Sequence, residues 1–275
     1  MFRFKFLLGF IFLSTSMLLG QTSDEQLIKI ISELEMKKIY DLPKSERIIK
    51  IGEYFLGLPY EAGTLEGEQE SLKFYFDRFD CVTYVETVIS LVDLKAGEKS
   101  TAEKFKSTLT KLRYNAQVIS YPTRRHYFSE WMKSAEKNFI LELQQPEGIA
   151  VKSNKTINFM STHPKSYSRL SESEILTQIE EYEQLISLEG FYYLPKEKYA
   201  EWKKYLKSGD VIAFVTSIPG LDVSHVGFVY EMSGKFYLLN APKPGVPVKI
   251  NESTIEENLN SNKNYIGVMI GRIRS

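Results

Sequence analysis

The alternation of apolar and polar residues after Gly209 and Asp210 constrains the fold most strongly, because it recurs in successive segments to the end of the chain. A period of two is typical of β-strands. It predicts four strands, at residues 211–216, 224–232, 235–241 and 265–273. Nearer the start, residues 24–55 follow helical spacing, which predicts two short helices separated at Pro43. Helices first and an antiparallel sheet last indicate an α+β fold.

A third helix is predicted at residues 81–96, between Asp80 as a candidate cap and Gly97 as a stop. The apolar stripe of this helix comprises Cys81, Val85, Val88 and Val92. Residues 57–67 in front of it contain Gly and Pro and are predicted to form a loop. From residue 102 to residue 207, helical patterns alternate with connections rich in Pro, Asn and Ser. We therefore expect a mixed helical and loop insertion there.

Ser233 and Gly234 fit a two-residue hairpin turn between the second and third predicted strands. Counting back along both strands from such a turn brings His225 and Asn240 to the same face, as diagonal neighbours roughly 7 to 8 Å apart at the backbone. A three-residue turn would shift the register by one and send Asn240 to the opposite face. The pattern predicts that the Asn240 amide orients the His225 ring; the alternative is that Asn240 only ends a strand.

The chain contains a single cysteine, Cys81, at the predicted start of a helix. A thiol attacks as thiolate, and the unpaired N–H groups and dipole at a helix start favour negative charge. His225 is the best placed of the three histidines to act as its base. The order Cys81, His225, Asn240 matches the Cys-His-Asn variant of the acyl-transfer triad. The alternatives are a buried thiol that packs as a small hydrophobe and a structural histidine.

Other chemistries have weaker support in the sequence. His126 and His163 lie in separate segments without a second cysteine, so we expect neither a metal nor another cofactor. No pair of carboxylates stands out for glycoside cleavage. The aromatic clusters at residues 74–76 and 191–193 favour core packing over a sugar platform.

The chain begins with features of a secretory signal. Arg3 and Lys5 precede an apolar run at residues 6–19 and the small Gly20. We expect a signal peptide at residues 1–20 and one domain at residues 21–275, located in the periplasm or otherwise outside the cytoplasm, as a monomer without stable membrane insertion.

The 35 basic residues balance the 35 acidic ones, which argues against nucleic acid as a partner.

Several segments together resemble a known family. They are GLPY at residues 57–60, GTLE at 63–66, FDCVTYVE at 79–86, RHYFSEW at 125–131, NFMSTHP at 158–164, YYLPK at 192–196 and SHVG at 224–227. The chain resembles the N-acetylmuramoyl-L-alanine amidase-like proteins, a branch of the NlpC-type, papain-like cell-wall cysteine hydrolases. The match spans nearly all of the expected mature chain, and its specificity comes from the number and order of the segments.

The resemblance implies a papain-like fold, in which the cysteine opens a helix packed on the sheet that carries the histidine. It implies peptidoglycan fragments, or muropeptides, as partners, cut between N-acetylmuramic acid and L-alanine. It also implies roles near the reacting atoms for Tyr60 and Asp80, with Ser224 among the groups that contact the substrate or the oxyanion. Many relatives have Ser-Gly after the cysteine, whereas this chain has Val82 and Thr83.

Glu86, Arg125, His126 and His163 belong to matching segments and are candidates for substrate binding or for support of the site. Arg125 could bind a substrate carboxylate through both ends of its guanidinium group. Two other functions remain open: an endopeptidase that cuts within the stem peptide, and a peptidoglycan-binding module without activity.

Overall fold

The computed structural model describes residues 23–95 and 101–274. Their α-helices are α1 (Ser23–Met36), α2 (Lys44–Tyr54), α3 (Cys81–Val92), α4 (Thr101–Arg113), α5 (Phe128–Lys137), α6 (Phe159–Thr162), α7 (Ser173–Glu189), α8 (Tyr199–Trp202) and α9 (Ile255–Ser261). Their β-strands are β1 (Leu141–Leu143), β2 (Val151–Ser153), β3 (Phe191–Pro195), β4 (Val211–Thr216), β5 (Val223–Met232), β6 (Lys235–Asn240), β7 (Lys249–Thr254) and β8 (Tyr265–Ile273). The expected signal peptide, residues 1–20, and Gly97 lie outside the described residues.

The strands form one antiparallel sheet in the order β2-β3-β8-β4-β5-β6-β7, and β1 also pairs with β8. The four predicted strands correspond to β4, β5, β6 and β8, so those predictions are confirmed. The sequence pattern did not indicate β1, β2, β3 or β7. The first two have only three residues, too few for an apolar period to show.

Apolar cores lie on both faces of the sheet. On one face, apolar side chains of α1 to α5 and α7 share one core with inward side chains of β5 such as Val226 and Phe228. On the other face, α8 and α9 bring Trp202 and Leu259 against β4 residues such as Ile212. α3 packs directly on β5, so the helix that begins at Cys81 meets the strand that carries His225. The predicted α+β class with an antiparallel sheet is confirmed.

The start of α3 is capped as predicted. The Asp80 carboxylate accepts a hydrogen bond from the Thr83 N–H at 2.8 Å, and the Thr83 hydroxyl accepts one from the Asp80 N–H at 3.0 Å, which completes a capping box. The predicted end at residue 96 is wrong, because the helix ends at Val92. There the Arg47 guanidinium donates to the Val92 carbonyl at 2.8 Å and satisfies a terminal acceptor.

The β5–β6 hairpin has the predicted two-residue turn. Ser233 and Gly234 have φ values of 53° and 73°, as a turn with two left-handed central residues requires. The register pairs the residues on either side of the turn, as predicted. Near the other end of β5, a Cβ on Gly227 would lie 2.9 Å from the Cβ of Asn240, so glycine is required for the two strands to approach there.

A buried ion pair ties the insertion to α3. Arg113 in α4 donates to the Glu86 carboxylate through Nε at 2.9 Å and Nη2 at 2.7 Å. Trp131 in α5 donates to the same carboxylate at 3.2 Å. Both charged side chains are almost fully buried. Since a buried carboxylate requires partners, this cluster holds three helices together.

No helix among the described residues is long and apolar enough to cross a bilayer.

Replacing Arg113 tests this cluster. Arg113→Met should lower the free energy of unfolding by about 3 to 5 kcal/mol, because it leaves the Glu86 charge buried and unpaired. Lys111→Met, on the exposed face of the same helix, should change it by less than about 0.5 kcal/mol. Urea denaturation followed by circular dichroism measures both, and equal effects of the two substitutions would contradict the assignment.

Candidate active site

Cys81 is the first residue of α3, and its thiol lies against the beginning of β5. The backbone N–H groups of Val226, Cys81 and Val82 lower the pKa of the thiol, which places Sγ near the backbone at Val226. Val226 directly follows His225 in the chain. The structure therefore brings the thiol to the residue next to its predicted base, through the packing of α3 on β5.

The surroundings of the thiol favour its neutral form. Burial and, second, the charge of Asp80 raise the pKa of the Cys81 thiol to about 12, although the three N–H groups lower it. The N–H groups at the helix start favour the thiolate, as expected, but the desolvation of Sγ outweighs them. Burial also lowers the pKa of His225 from its ordinary value of 6.5, so the imidazole is neutral at pH 7. Both candidate reacting groups are therefore neutral at pH 7.

His225 Nε2 lies 2.7 Å from Oδ1 of Asn240, as the hairpin register predicts. Because a carbonyl oxygen only accepts hydrogen bonds, Nε2 carries the proton and Nδ1 is the basic nitrogen. Asn240 is fully buried, and its Nδ2 donates to Oδ1 of Asn251 at 3.0 Å and to the Leu238 carbonyl at 3.2 Å. These bonds fix which way the amide points. Asn251, on β7, is a supporting residue that the sequence gave no reason to single out.

Tyr60 also lies close to the thiol. Its backbone forms a short parallel bridge with Phe79, just before the residue that caps α3. Burial and then the charges of Cys81 and Asp80 raise the pKa of Tyr60 to about 12, so its hydroxyl is protonated and can donate. The structure thus brings together three of the predicted groups on the side of α3.

Tyr265, at the start of β8, is a site residue that the sequence did not indicate. Its ring stacks on Phe214 with centroids 4.8 Å apart, and the Phe214 ring lies 6.3 Å from that of His225. Burial and the charge of Cys81 raise the pKa of Tyr265, while hydrogen bonds with Asn262 and Ser224 lower it. Ser224 itself is exposed at the mouth of the site. No local pattern distinguishes Tyr265 from other aromatic residues in strands.

The family description N-acetylmuramoyl-L-alanine amidase-like matches residues 50–268. The chain belongs to this family. None of the curated proteins compared with the chain matches it.

Several solved structures are similar to this chain. A crystal structure of an N-acetylmuramoyl-L-alanine amidase from Bacteroides uniformis ATCC 8492 is 29% identical, with a TM-score of 0.77 over 84% of this chain and 99% of that chain. A Bacteroides fragilis protein named as a candidate xylanase is 32% identical, with a TM-score of 0.74 over 82% of this chain and 99% of that chain. A Legionella pneumophila str. Philadelphia 1 protein shares the fold at 20% identity, with a TM-score of 0.67 over 92% of this chain and 95% of that chain.

In this amidase-like protein, two predicted substrate-binding residues have their charged groups engaged inside the protein. Glu86 is almost fully buried and occupied by Arg113 and Trp131. Arg125 donates to the carbonyl groups of Lys111 and Leu112, each at 3.0 Å, and its side chain is 4% exposed. Of the two roles expected for Glu86 and Arg125, these contacts favour support of the site, because both charged groups are bound inside the protein.

The two remaining histidines also have structural contacts. His126 Nε2 donates to the Tyr121 carbonyl at 2.8 Å, and burial and the Arg124 charge lower the pKa of His126 to about 3. His163 is exposed, stacks on Phe159 at 4.3 Å and hydrogen bonds to its carbonyl at 2.8 Å. None of these contacts joins either ring to Cys81 or His225. Among the described residues, no group of three or more His, Cys, Asp or Glu side chains could hold a metal ion.

The reactivity of Cys81 tests the neutral state of the site. Alkylation by iodoacetamide should be slower at pH 7 than that of a free thiol of pKa about 8.5, and should rise about tenfold per pH unit between roughly pH 7 and pH 9, because only the thiolate reacts. Mass spectrometry of the intact protein measures the rate of alkylation, and the added mass is assigned to Cys81 because the chain has one cysteine. Alkylation in urea is the control for an exposed thiol. A rate that stays constant from about pH 5 to pH 7 would instead indicate a thiolate–imidazolium pair.

Proposed function

We propose that this protein is a cysteine amidase that hydrolyses the bond between the lactyl group of N-acetylmuramic acid and the L-alanine of the stem peptide in peptidoglycan fragments. The observation that carries the proposal is the packing of α3, which begins at Cys81, on β5, which carries His225. The Val226 N–H lowers the pKa of the thiol, and Asn240 binds Nε2 of the His225 ring. The family and the amidase from Bacteroides uniformis support the substrate. The proposal includes a papain-like arrangement of helix and sheet.

The chemistry follows from the two neutral groups. His225 Nδ1 accepts the thiol proton as Cys81 Sγ attacks the amide carbonyl carbon. The carbonyl oxygen becomes an oxyanion, for which the Cys81 N–H and the Tyr60 hydroxyl are the proposed donors. The imidazolium then protonates the alanine nitrogen, the C–N bond breaks and a thioester remains. A water molecule, deprotonated by His225, attacks the thioester and releases the lactyl carboxylate and the thiol.

This mechanism makes proton transfer part of the attack itself. A thiol of high pKa is a weak nucleophile, so the base must act while the carbon–sulfur bond forms. The Asn240 oxygen stabilises the imidazolium through its bond to Nε2–H, while the buried ring favours release of the proton to the leaving amine. Asn240 therefore affects both halves of the reaction.

We also propose that the protein acts after export. Arg3, Lys5 and the apolar run of residues 6–19 support a cleaved signal peptide, a mature chain from residue 21 and a periplasmic or other extracytoplasmic location. The proposed partners are muropeptides, with the chain as a monomeric single domain. The balanced charge supports neither nucleic acid nor a membrane surface as a partner.

Replacing the nucleophile tests the function. Cys81→Ala should reduce release of L-alanine-led peptides from defined muropeptides by about 10⁴-fold or more, without loss of folding. Liquid chromatography with mass spectrometry identifies the bond that is cut. Products that still carry the lactyl–alanine bond would indicate a stem-peptide endopeptidase. Because one relative is named as a candidate xylanase, xylan is included, and release of reducing sugar that persists in Cys81→Ala would contradict the proposal.

Replacing the orienting amide tests the role of the hairpin. Asn240→Ala should lower kcat/KM by about 10²-fold, because the base remains but its ring is no longer held in one orientation. Asn251→Ala removes a partner of Asn240 without touching the imidazole, and should have a smaller effect. Steady-state kinetics on the same muropeptide measures both, with circular dichroism to verify folding. A larger loss for Asn251→Ala would argue against the direct contact as the cause.

A further inference from the structure

We propose that Lys155 is a positioning residue for His225, because its ammonium group gathers the carbonyl oxygens of the loop that leads into β5. The inference rests on the proposed function of His225 as the base. Lys155 belongs to the insertion, just after β2, and no motif in the sequence indicates a role for it.

The ammonium group has a complete set of acceptors. Its Nζ donates to the carbonyl of Thr216 at 2.8 Å, to that of Leu221 at 2.6 Å and also to that of Ile218. An ammonium group has three N–H donors, so all three are used. All three acceptors belong to the β4–β5 connection, which comprises the last residue of β4 and the loop of residues 217–222. One side chain thus holds both ends of this loop.

Other contacts hold the same loop against the insertion. The Asp222 carboxylate accepts hydrogen bonds from the N–H groups of Ser129, in the first turn of α5, at 2.7 Å and of Val223 at 2.6 Å. The Gly220 carbonyl accepts from the N–H groups of Asn158 and Phe159, each at 3.1 Å. These bonds leave the loop little freedom on the side that faces the insertion.

The loop sets the position of the imidazole because strand pairing is irregular there. Val223 pairs with Val215 and His225 pairs with Phe214, so Ser224 is an extra residue in β5. At such a bulge the ladder of hydrogen bonds is interrupted, and the direction of the strand depends on what precedes it. Without the ammonium group, three carbonyls lose a charged donor, the loop can relax into water and the imidazole can move away from Sγ.

Removal of the ammonium group tests the inference. Lys155→Met keeps the aliphatic chain but removes the donors, and should lower kcat on the muropeptide about 10- to 100-fold, as displacement of a reacting group by about 1 Å does. KM should change by less than about threefold, because the proposed oxyanion donors, the Cys81 N–H and the Tyr60 hydroxyl, lie outside this loop. Lys152→Met, exposed on β2, is the matched control and should stay within about twofold of the unmodified protein in both constants.

A second measurement does not need activity. The chain has three histidines, so NMR can follow each ring against pH, with His225→Gln to assign the signal of His225. In Lys155→Met the pKa of His225 should rise toward 6.5, because the lowering comes from burial and a displaced ring is hydrated. The other titratable groups of the candidate site, Cys81 and Asp80 at the start of α3 and Tyr265 on β8, are the same in every variant. The titration of His225 in Lys152→Met should match that of the unmodified protein.

Lys155→Ala gives a further readout, because propylammonium can replace the missing end of the side chain. It should restore part of kcat, whereas tetramethylammonium, which has no N–H donor, should not. An unchanged kcat and an unchanged His225 titration in Lys155→Met would overturn the inference, as would loss of folding in both variants. If the unmodified protein does not cut muropeptides while the His225 titration still shifts in Lys155→Met, the proposed function fails and the positioning role stands.

Discussion

The candidate site depends above all on the register of the β5–β6 hairpin. A turn of two left-handed residues leaves one way to pair the strands, and that pairing brings the Asn240 amide to within 2.7 Å of His225 Nε2. Gly227 permits the close approach of the two strands, and Asn251 fixes the direction of the amide. A shift of one residue would move the amide to the other face of the sheet and leave the imidazole free to rotate. The basic nitrogen is therefore defined by strand pairing before any substrate arrives.

Burial decides the protonation of the two reacting groups. The start of α3 and three N–H donors favour a thiolate, yet desolvation of Sγ and the Asp80 charge outweigh them and raise the pKa of Cys81 to about 12. The same burial lowers the pKa of His225. Both shifts favour the neutral pair, since moving the proton would create two charges in a poorly solvated place. Asp80 has opposing effects, because its cap stabilises the helix that presents Cys81 while its charge disfavours the thiolate.

The sequence predicted correctly those features of the fold that short stretches of the chain determine. The strands from residue 211 onward, the hairpin turn and the capped start of α3 each depend on residues close together in the chain, and their sequence signals were sufficient. The missed features join distant segments. Arg113 lies 27 residues from Glu86 in the chain. Tyr265 comes near Cys81 only through the sheet, in which β4 joins β8 to β5, the strand on which α3 packs. The raised pKa of the thiol has the same origin, since a helix start is visible in the sequence and the packing that buries the thiol is not.

The insertion holds both elements that carry the candidate nucleophile and base. Through Arg113 and Trp131 it binds Glu86 in α3, one turn beyond Cys81. Through Lys155 and the first turn of α5 it binds the loop that precedes His225. Pairing within the sheet cannot by itself set the distance between a helix and a strand, because they share no ladder of hydrogen bonds. The contacts of the insertion supply that constraint, and they do so with charged groups whose directional bonds leave less freedom than apolar packing alone.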